Sequence, residues 1–362
     1  MRLIVLFGGR SAEHEVSCVS AASVLGAVDP ARYDVVPVGI TAEGRWVLDA
    51  AAARALAEGG SRSLPSTLAA EGPELDPLPT LAPVDDGGEQ VVVLPLLHGP
   101  MGEDGTMQGL LELAGVPYVG TGVLGSALAM DKGKAKQVLA AAGLPQAAYL
   151  VRRDVEVDDA LAKEVDKELG WPAFVKPANL GSSVGITKVA DADGLPGAVE
   201  LALAYDEWVV IEEAVVGREL ECGVLGDTHL EASVVGEILP KREFYDFEDK
   251  YGADSARLAI PADLPELVAE ECRRLAVAAG GALRVEGMAR VDFFHDDPGR
   301  GVLVNEVNTI PGFTPVSMFP RLWGAAGLPY DALVDRLVDL ALERHARRAG
   351  RVGRRRQLGS DG

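Results

Sequence analysis

Two short stretches in the last third of the chain hold the residue types that chemistry needs. In Met288-Ala-Arg-Val-Asp-Phe-Phe294, strand alternation puts Arg290 and Asp292 on one face. In Leu303-Val-Asn-Glu-Val-Asn-Thr309 it puts Glu306 and Asn308 on one face, beside apolar Val304 and Val307. The link from His295 to Gly301 is short and reads Asp-Asp-Pro-Gly in its middle, so the two runs are expected to form an antiparallel hairpin. A pairing symmetric about Gly299 sets Asp292 opposite Glu306 and Arg290 opposite Asn308. Facing carboxylates repel, and burying them is costly unless a cation lies between them. Two carboxylates and an amide oxygen are hard ligands, suited to Mg²⁺ held together with substrate phosphates. An arginine–carboxylate ladder on a solvated sheet is the plainer alternative.

Other residues point to phosphate. Lys176 closes the apolar run Ala173-Phe-Val-Lys-Pro177, and Gly181-Ser-Ser-Val-Gly185 follows it. Backbone N–H groups of such a loop can cradle phosphate oxygens, although a Gly-Ser hairpin explains the same letters. Lys132, after Ala-Met-Asp131, and Lys250, within Phe244-Tyr-Asp-Phe-Glu-Asp-Lys-Tyr251, are further candidate cations; either alone also reads as a solvated lysine. Gly120-Thr-Gly-Val-Leu-Gly125 matches a dinucleotide fingerprint, but no acid stands about 20 residues on to hold ribose hydroxyls. A glycine turn entering a helix is the stronger account of it.

The elements that must position these groups are legible from pattern. Apolar runs at 3–7, 34–41 and 91–95, with a helical stretch over 11–27, give a βαβ alternation and hence a parallel sheet. Residues 59–89 are rich in Gly, Pro, Ser and acids and read as a surface excursion. Beyond a boundary near 127–136, helices are expected at 131–142, 158–168, 194–204, 263–280 and 330–347. Strands are expected at 173–177, 186–189, 208–213, within 218–240, and at 286–294 and 301–308. Residues 241–257 read as a long polar and aromatic loop. The stretch Arg344–Arg356 holds seven arginines and reads as a solvated, disordered end.

The chain has 362 residues with a net charge of −21, and this argues against nucleic-acid binding, which needs clustered cations. The cysteines Cys18, Cys222 and Cys272 are few and scattered, which implies a reducing, cytoplasmic setting and no metal cage. The uncharged stretch 113–130 is broken by five-fold glycine and proline interruptions, so no membrane span is expected.

Taken together, Lys176–Gly185, Val209–Glu219, Ala289–Phe294 and Asn305–Pro320 resemble the ATP-grasp carboxylate–amine ligases. With Gly8–Ser17, Leu97–Gly109, Gly120–Lys132 and Phe244–Tyr251 in the family's order, the chain is similar to the D-alanine–D-alanine ligases within them. The resemblance implies a three-domain ATP-grasp fold of α/β and α+β parts: a Rossmann-like parallel-sheet domain (1–125), a central subdomain (126–208), a C-terminal subdomain (209–345) and a basic disordered tail (346–362). It implies that ATP activates one D-alanine as an acyl phosphate and that the amine of a second attacks it, for peptidoglycan precursors. By the same resemblance, Lys132 and Lys176 contact the α- and β-phosphates. Glu212, with the backbone of Glu213 to Val215, meets adenine, and Glu219 meets the ribose. Asp292, Glu306 and Asn308 hold two Mg²⁺ ions, for which Mn²⁺ is a substitute. Lys250 and Arg290 stabilise the phosphoryl group in flight, under a loop at Ser182-Ser183.

The resemblance further assigns Glu13 to the ammonium of the first D-alanine, with His98 lining that pocket. Read without it, Glu13 is a helix first-turn acid and His98 a core histidine. Glu13, Ser182 and Tyr251 form an implied hydrogen-bonded triad, sealing the loop 241–257 as a lid. Ser317 binds the second carboxylate, Met318 packs near its methyl group, and Gly312 offers a backbone N–H to the oxyanion. A homodimer and a monovalent cation are further implications. The base that deprotonates the second amine is unassigned. A relative that accepts D-lactate or D-serine, and a catalytically silent ATP-binding module, are the alternatives; the latter would lack a metal ligand or Arg290, and neither is missing.

Overall fold

The computed structural model describes residues 1–59, 64–82, 90–181, 184–239, 257–297 and 299–351. The first sheet is built by β1 (Arg2–Gly8), β2 (Asp34–Ile40), β3 (Trp46–Leu48) and β4 (Val91–Pro95), in the order β3-β2-β1-β4. β1 pairs in parallel with β2 and β4, as the apolar runs predict, and only β3 runs antiparallel. Helices α1 (His14–Ala27), α2 (Ala50–Gly59), α3 (Pro77–Leu81), α4 (Thr106–Ala114) and α5 (Val123–Met130) connect or cover it. Ser17 fixes how α1 leaves the sheet: its hydroxyl accepts from the Gly8 N–H at 2.7 Å and donates to the Leu96 carbonyl at 2.5 Å. That pins the first turn of α1, and with it Glu13, over the ends of β1 and β4.

Parts of the expected surface excursion are core. Leu68, Ala70 and Leu81 are buried, and Val47 bridges to Glu74. The polar letters between these residues carry no period, so the pattern hides the apolar anchors. Of the rest of this stretch, 60–63 and 83–89 lie outside the described residues.

The second sheet holds β5 (Tyr149–Arg153), β6 (Ala173–Pro177), β7 (Thr187–Val189) and β8 (Trp208–Glu213), ordered β5-β8-β6-β7 and antiparallel throughout. α6 (Lys132–Ala141), α7 (Leu161–Glu168) and α8 (Leu195–Leu203) accompany it. Asp131 caps α6 by accepting from the Lys134 N–H at 2.9 Å. The third sheet, β11-β10-β9-β12-β13, comprises β9 (Arg218–Gly226), β10 (Leu230–Leu239), β11 (Arg257–Ala259), β12 (Gly287–Asp296) and β13 (Gly301–Asn308). Its apolar face packs on α9 (Glu266–Ala282), with Leu220, Cys222, Val291, Phe293 and Val304 in that core. Its other face carries Glu221, Arg290 and Asp292, and elsewhere Leu225, Met288 and Ile238, which pack with Phe319, Trp323 and Met318. α10 (Met318–Ala325) and α11 (Tyr330–Ala349) end the described fold.

The glycine fingerprint has a packing function. A Cβ on Gly125 would stand 2.6 Å from the Arg284 carbonyl, so glycine there lets α5 lie against the loop before β12. Gly287 adopts φ +76°, and a Cβ on it would lie 2.9 Å from the Gly120 N.

The arginine-rich end is corrected too. α11 runs to Ala349, and its first arginines are structural. Arg344 is buried, donates to the Gly120 and Tyr118 carbonyls and pairs with Glu286. Arg347 grips Asp227, and Arg348 joins Glu112 to Glu286. Charge count alone does not reveal these buried acceptors. Residues 352–362 lie outside the described residues. Replacing Arg344 by Met takes the guanidinium from the two carbonyls and leaves Glu286 with Arg348 alone. We expect a loss of about 3 kcal/mol in chemical denaturation, as for one partner removed from a buried pair; a loss below about 1 kcal/mol would mean that α11 is held by its apolar face alone.

Candidate active site

The hairpin of β12 and β13 has the expected register at its polar end: Arg290 lies opposite Asn308, and Asp292 opposite Glu306. The route to that register differs from a plain symmetric turn. Asp296 pairs with Gly301, and a β-bulge at Asn305 restores the pairing between Phe293–Val304 and Asp292–Glu306. On the other side, Asp292 of β12 lies beside Glu221 of β9.

These side chains form one buried cluster. Arg290 donates from Nε and Nη2 to the two oxygens of Asp292, both at 2.7 Å, and its Nε stands 3.0 Å from Glu221 Oε2. Asn308 Nδ2 donates to Asp292 Oδ2 at 3.0 Å. Burial opposes the Arg290 charge, but Asp292, Glu221 and Glu306 outweigh it and hold the guanidinium pKa well above its ordinary value. Glu221 was not anticipated. Its place in Glu219-Leu-Glu-Cys222 is a strand alternation, and that is the signal by which it could have been found.

A second charged cluster sits between β6, β8 and α6. Lys176 Nζ donates to Glu212 Oε2 at 2.8 Å, and Lys136 Nζ lies 3.3 Å from Glu212 Oε1. Glu212 and Lys136 are almost fully buried. Burial would raise the Glu212 carboxyl, but the two lysines dominate and bring it down to about 2. Lys136, also unanticipated, lies under the Tyr149 ring at 5.3 Å, and burial pushes its ammonium below the usual lysine range. Lys132 donates to the Leu180 carbonyl at 2.5 Å and so tethers the glycine loop to α6. Glu213 accepts from the Ala148 N–H at 2.6 Å and from Arg300 at 2.5 Å. Burial opposes the Lys176 charge, but Glu212 first, then Glu306 and Glu219, hold its pKa above the ordinary lysine value. Val215 is partly buried just beyond β8.

The acid end is assembled by three loops. A Cβ at Gly99 would lie 2.9 Å from Glu13 Oε2, and one at Gly181 3.0 Å from the same oxygen. Glycine at both positions is what lets this carboxylate be enclosed. His98 Nδ1 lies 3.0 Å from the Ile310 carbonyl, which can only accept, so the proton is on Nδ1 and Nε2 keeps its lone pair. Burial pushes the His98 pKa down and keeps the ring neutral. Ser317 Oγ accepts from the Thr314 N–H at 3.1 Å, and a Cβ on Gly312 would stand 3.3 Å from it.

One cavity of about 670 Å³ is lined by Glu13, His98 and Glu103 from the first unit and by Lys132 and Gly181 from the second. Arg290, Glu306, Asn308, Gly312, Ser317 and Met318 line it from the third. Ser182, Ser183, Lys250 and Tyr251, together with most of the loop 241–257, lie outside the described residues. The thiols lie apart from this chemistry: Cys18, Cys222 and Cys272 are buried, and burial pushes them up to about 11, 12 and 12.

The chain matches the family description D-ala D-ala ligase N-terminus over residues 2–121 and D-ala D-ala ligase C-terminus over residues 138–339. It belongs to the D-alanine–D-alanine ligase family. A D-alanine–D-alanine ligase of Mycolicibacterium smegmatis is 50% identical over 95% of this chain and 96% of its own. One of Geobacillus thermodenitrificans is 47% identical over 95% and 96%. Among solved structures, the D-alanine–D-alanine ligase of Coxiella burnetii superposes with a TM-score of 0.80 at 34% identity, covering 96% of each chain. The VanG D-Ala:D-Ser ligase of Enterococcus faecalis gives 0.78 at 34%, covering 94% and 99%. The fold is therefore that of the ATP-grasp ligases. No helix among the described residues is long and apolar enough to cross a membrane.

Membership of an ATP-dependent family implies ATP, with Mg²⁺ as its usual companion, and the donor chemistry fits. Among the described residues no three His, Cys, Asp or Glu side chains form a ready-made metal cage. Asp292, Glu306 and Asn308 instead offer hard oxygens on one strand pair, a set that needs phosphate oxygens to complete it.

The lysine pair yields a stability test. Lys136→Met removes one of two cations from buried Glu212 and should cost about 3 kcal/mol in chemical denaturation. The double variant with Glu212→Gln should fall short of the two single losses added together; simple additivity would show that the two groups are not coupled. The Glu212 carboxyl lies below its unfolded value, so its contribution is complete above about pH 4.5 and fades as pH drops toward 2. Glu212→Gln should flatten that acid limb.

Proposed function

We propose that this chain joins two D-alanines into D-alanyl-D-alanine at the expense of ATP, giving ADP and phosphate, for peptidoglycan precursor synthesis. The observation that carries the reading is the single cavity onto which Glu13 and the cluster of Arg290, Glu306 and Asn308 both open. An acid for an ammonium group and a cation-plus-carboxylate set for a phosphoryl group are thus held within one enclosure. Its three sheets correspond to substrate, central and C-terminal domains.

A carboxylate is a poor electrophile, so the first D-alanine is activated by transfer of the γ-phosphoryl group to its carboxylate. Glu13 receives its ammonium, and His98 closes that side of the pocket. Lys132 and Lys176 hold the α- and β-phosphates, Glu212 and the backbone of 213–215 the adenine, and Glu219 the ribose. Bound Mg²⁺, in two ions held by Asp292, Glu306 and Asn308, would neutralise the triphosphate charge, and Mn²⁺ suits the same oxygens. Arg290 is charged throughout and fixed by Asp292, so its donors need no reorganisation as negative charge builds. The second D-alanine places its carboxylate at Ser317 and its methyl group by Met318, and Gly312 offers its N–H to the tetrahedral oxyanion. Lys250, Ser182, Ser183 and Tyr251 close the enclosure over the acyl phosphate, shielding it from water. The three free thiols suit a cytoplasmic setting.

The likeness to a D-Ala:D-Ser ligase supports a second reading, in which D-serine is the second substrate. The apolar Met318 beside Ser317 favours D-alanine, since it offers a serine hydroxyl no strong partner.

Phosphate release from ATP should require D-alanine, should be absent with L-alanine or no amino acid, and should stop on chelation of divalent metal. Product analysis with D-alanine, D-serine and D-lactate in competition should give mainly D-alanyl-D-alanine; a serine-terminated product in excess would favour the second reading. Arg290→Ala should lower turnover about 10²-fold or more, as for a lost oxyanion donor. A loss under about tenfold would make Arg290 a scaffold for Asp292 only.

A further inference from the structure

We propose that Glu103 is the proton acceptor for the ammonium group of the second substrate, the amine that attacks the activated carboxyl. The proposal rests on the ligase reading above. Amino acids arrive as ammonium ions, which have no lone pair to attack with, so a proton must leave before the peptide bond forms.

Glu103 stands in the turn Met101-Gly-Glu-Asp-Gly105 before α4 and lines the cavity. Its Oε1 accepts from the Gly99 N–H at 2.8 Å. The amide of Ile310 also draws on its charge. The 98–105 turn and the Ile310–Gly312 segment are joined by the bond from His98 Nδ1 to the Ile310 carbonyl. The carboxyl is therefore fixed against the segment that carries Gly312, where the acyl carbonyl is activated.

Of the other candidate bases that line the cavity, Glu15 is solvent-exposed on α1, and the rest are engaged or closed off. Glu13 is enclosed by Gly99 and Gly181 and is committed to the first ammonium. His98 Nε2 keeps its lone pair but is buried, with no hydrogen-bond partner among the described residues. Asp292 and Glu221 lie on Arg290, and Glu306 belongs to the metal set.

The charged groups that act on Glu103 are Glu13, before α1, and Lys132, at the start of α6; His98, on its own turn, in turn faces Glu13 and Arg290 of β12. Burial first, then the charge of Glu13, push the Glu103 carboxyl up to about 8. A carboxyl in that range takes up a proton far more readily than an ordinary one. Seating the first ammonium on Glu13 cancels the second of these causes and lowers the Glu103 pKa, while burial, the larger cause, still holds it raised.

The step balances. One proton passes from the ammonium nitrogen to a Glu103 oxygen, and the freed electron pair forms the N–C bond at the acyl carbon. The C–O bond to phosphate then breaks, with its pair leaving on phosphate. The second nitrogen proton goes to that phosphate, and Glu103 returns its own to water.

The test compares the full chain with its Glu103→Gln and Glu103→Asp variants, using ATP, Mg²⁺ and D-alanine between about pH 6 and 9.5. D-Alanine as second substrate is set against hydroxylamine, which is already uncharged at neutral pH and traps the acyl phosphate as the hydroxamate. Glu103→Gln should lower dipeptide formation about 10²-fold or more and abolish the limb of the profile that rises at or below about pH 8. Hydroxamate formation should fall by less than about threefold, and Glu103→Asp should recover at least about tenfold over Gln. Equal losses with both nucleophiles would overturn the proposal, because Glu103 would then serve activation or folding. A wild-type chain that makes neither dipeptide nor hydroxamate would overturn the ligase reading and this proposal with it.

Discussion

The contact between Arg290 and its carboxylates organises the site. A guanidinium this buried is tolerable only because Asp292 takes it in two parallel hydrogen bonds and Glu221 stands against the same Nε. The carboxylates in turn are tolerable beside each other only because the guanidinium lies between them. Neither half is stable alone, so the third sheet holds its polar face in one arrangement. That arrangement is a fixed field, present before any ligand enters, which suits reactions whose difficulty is developing negative charge.

The field acts only where three units meet, and the joints between them are polar and specific. His98 ties the first unit to the segment after β13, and Lys132 ties the glycine loop to α6. On the far side, Tyr33 donates to Asp335 at 2.6 Å, and Arg32 grips Asp335 and Asp339. The first two joints belong to the cavity wall itself, whereas the contacts of Tyr33 and Arg32 lie off it. The enclosure of Glu13 by two glycine positions belongs to the same logic: a carboxylate can be walled in only where the wall lacks side chains.

The pattern of residues carried the local architecture well. Alternation located β12 and β13, and the facing of Asp292 and Glu306 followed from counting across the turn. The count succeeded although the turn itself was misjudged, because the bulge at Asn305 corrects the offset before the polar end. Groups that sequence reading missed share one property: each matters through a contact distant in the chain. Lys136 looks like any lysine of an amphipathic helix until β8 brings Glu212 to it. Arg344 sits in a run of arginines whose density suggested solvent, yet its acceptors are Tyr118 and Gly120. Leu68 and Leu81 anchor a segment whose composition is that of a loop. Period and composition report on neighbours along the chain, not on partners reached by folding.

The placement of α11 has a consequence for how the protein is made. Leu333, Val334, Leu337 and Val338 are packed into the same core as Leu3, Val5 and Phe7 of β1. β1 is thus covered by a helix far downstream of it in the chain. While the ribosome is still working, the parallel sheet must wait with one apolar side only partly covered, by α1, until α11 has been made. Nascent chains halted before residue 330 should therefore be the species most in need of chaperones.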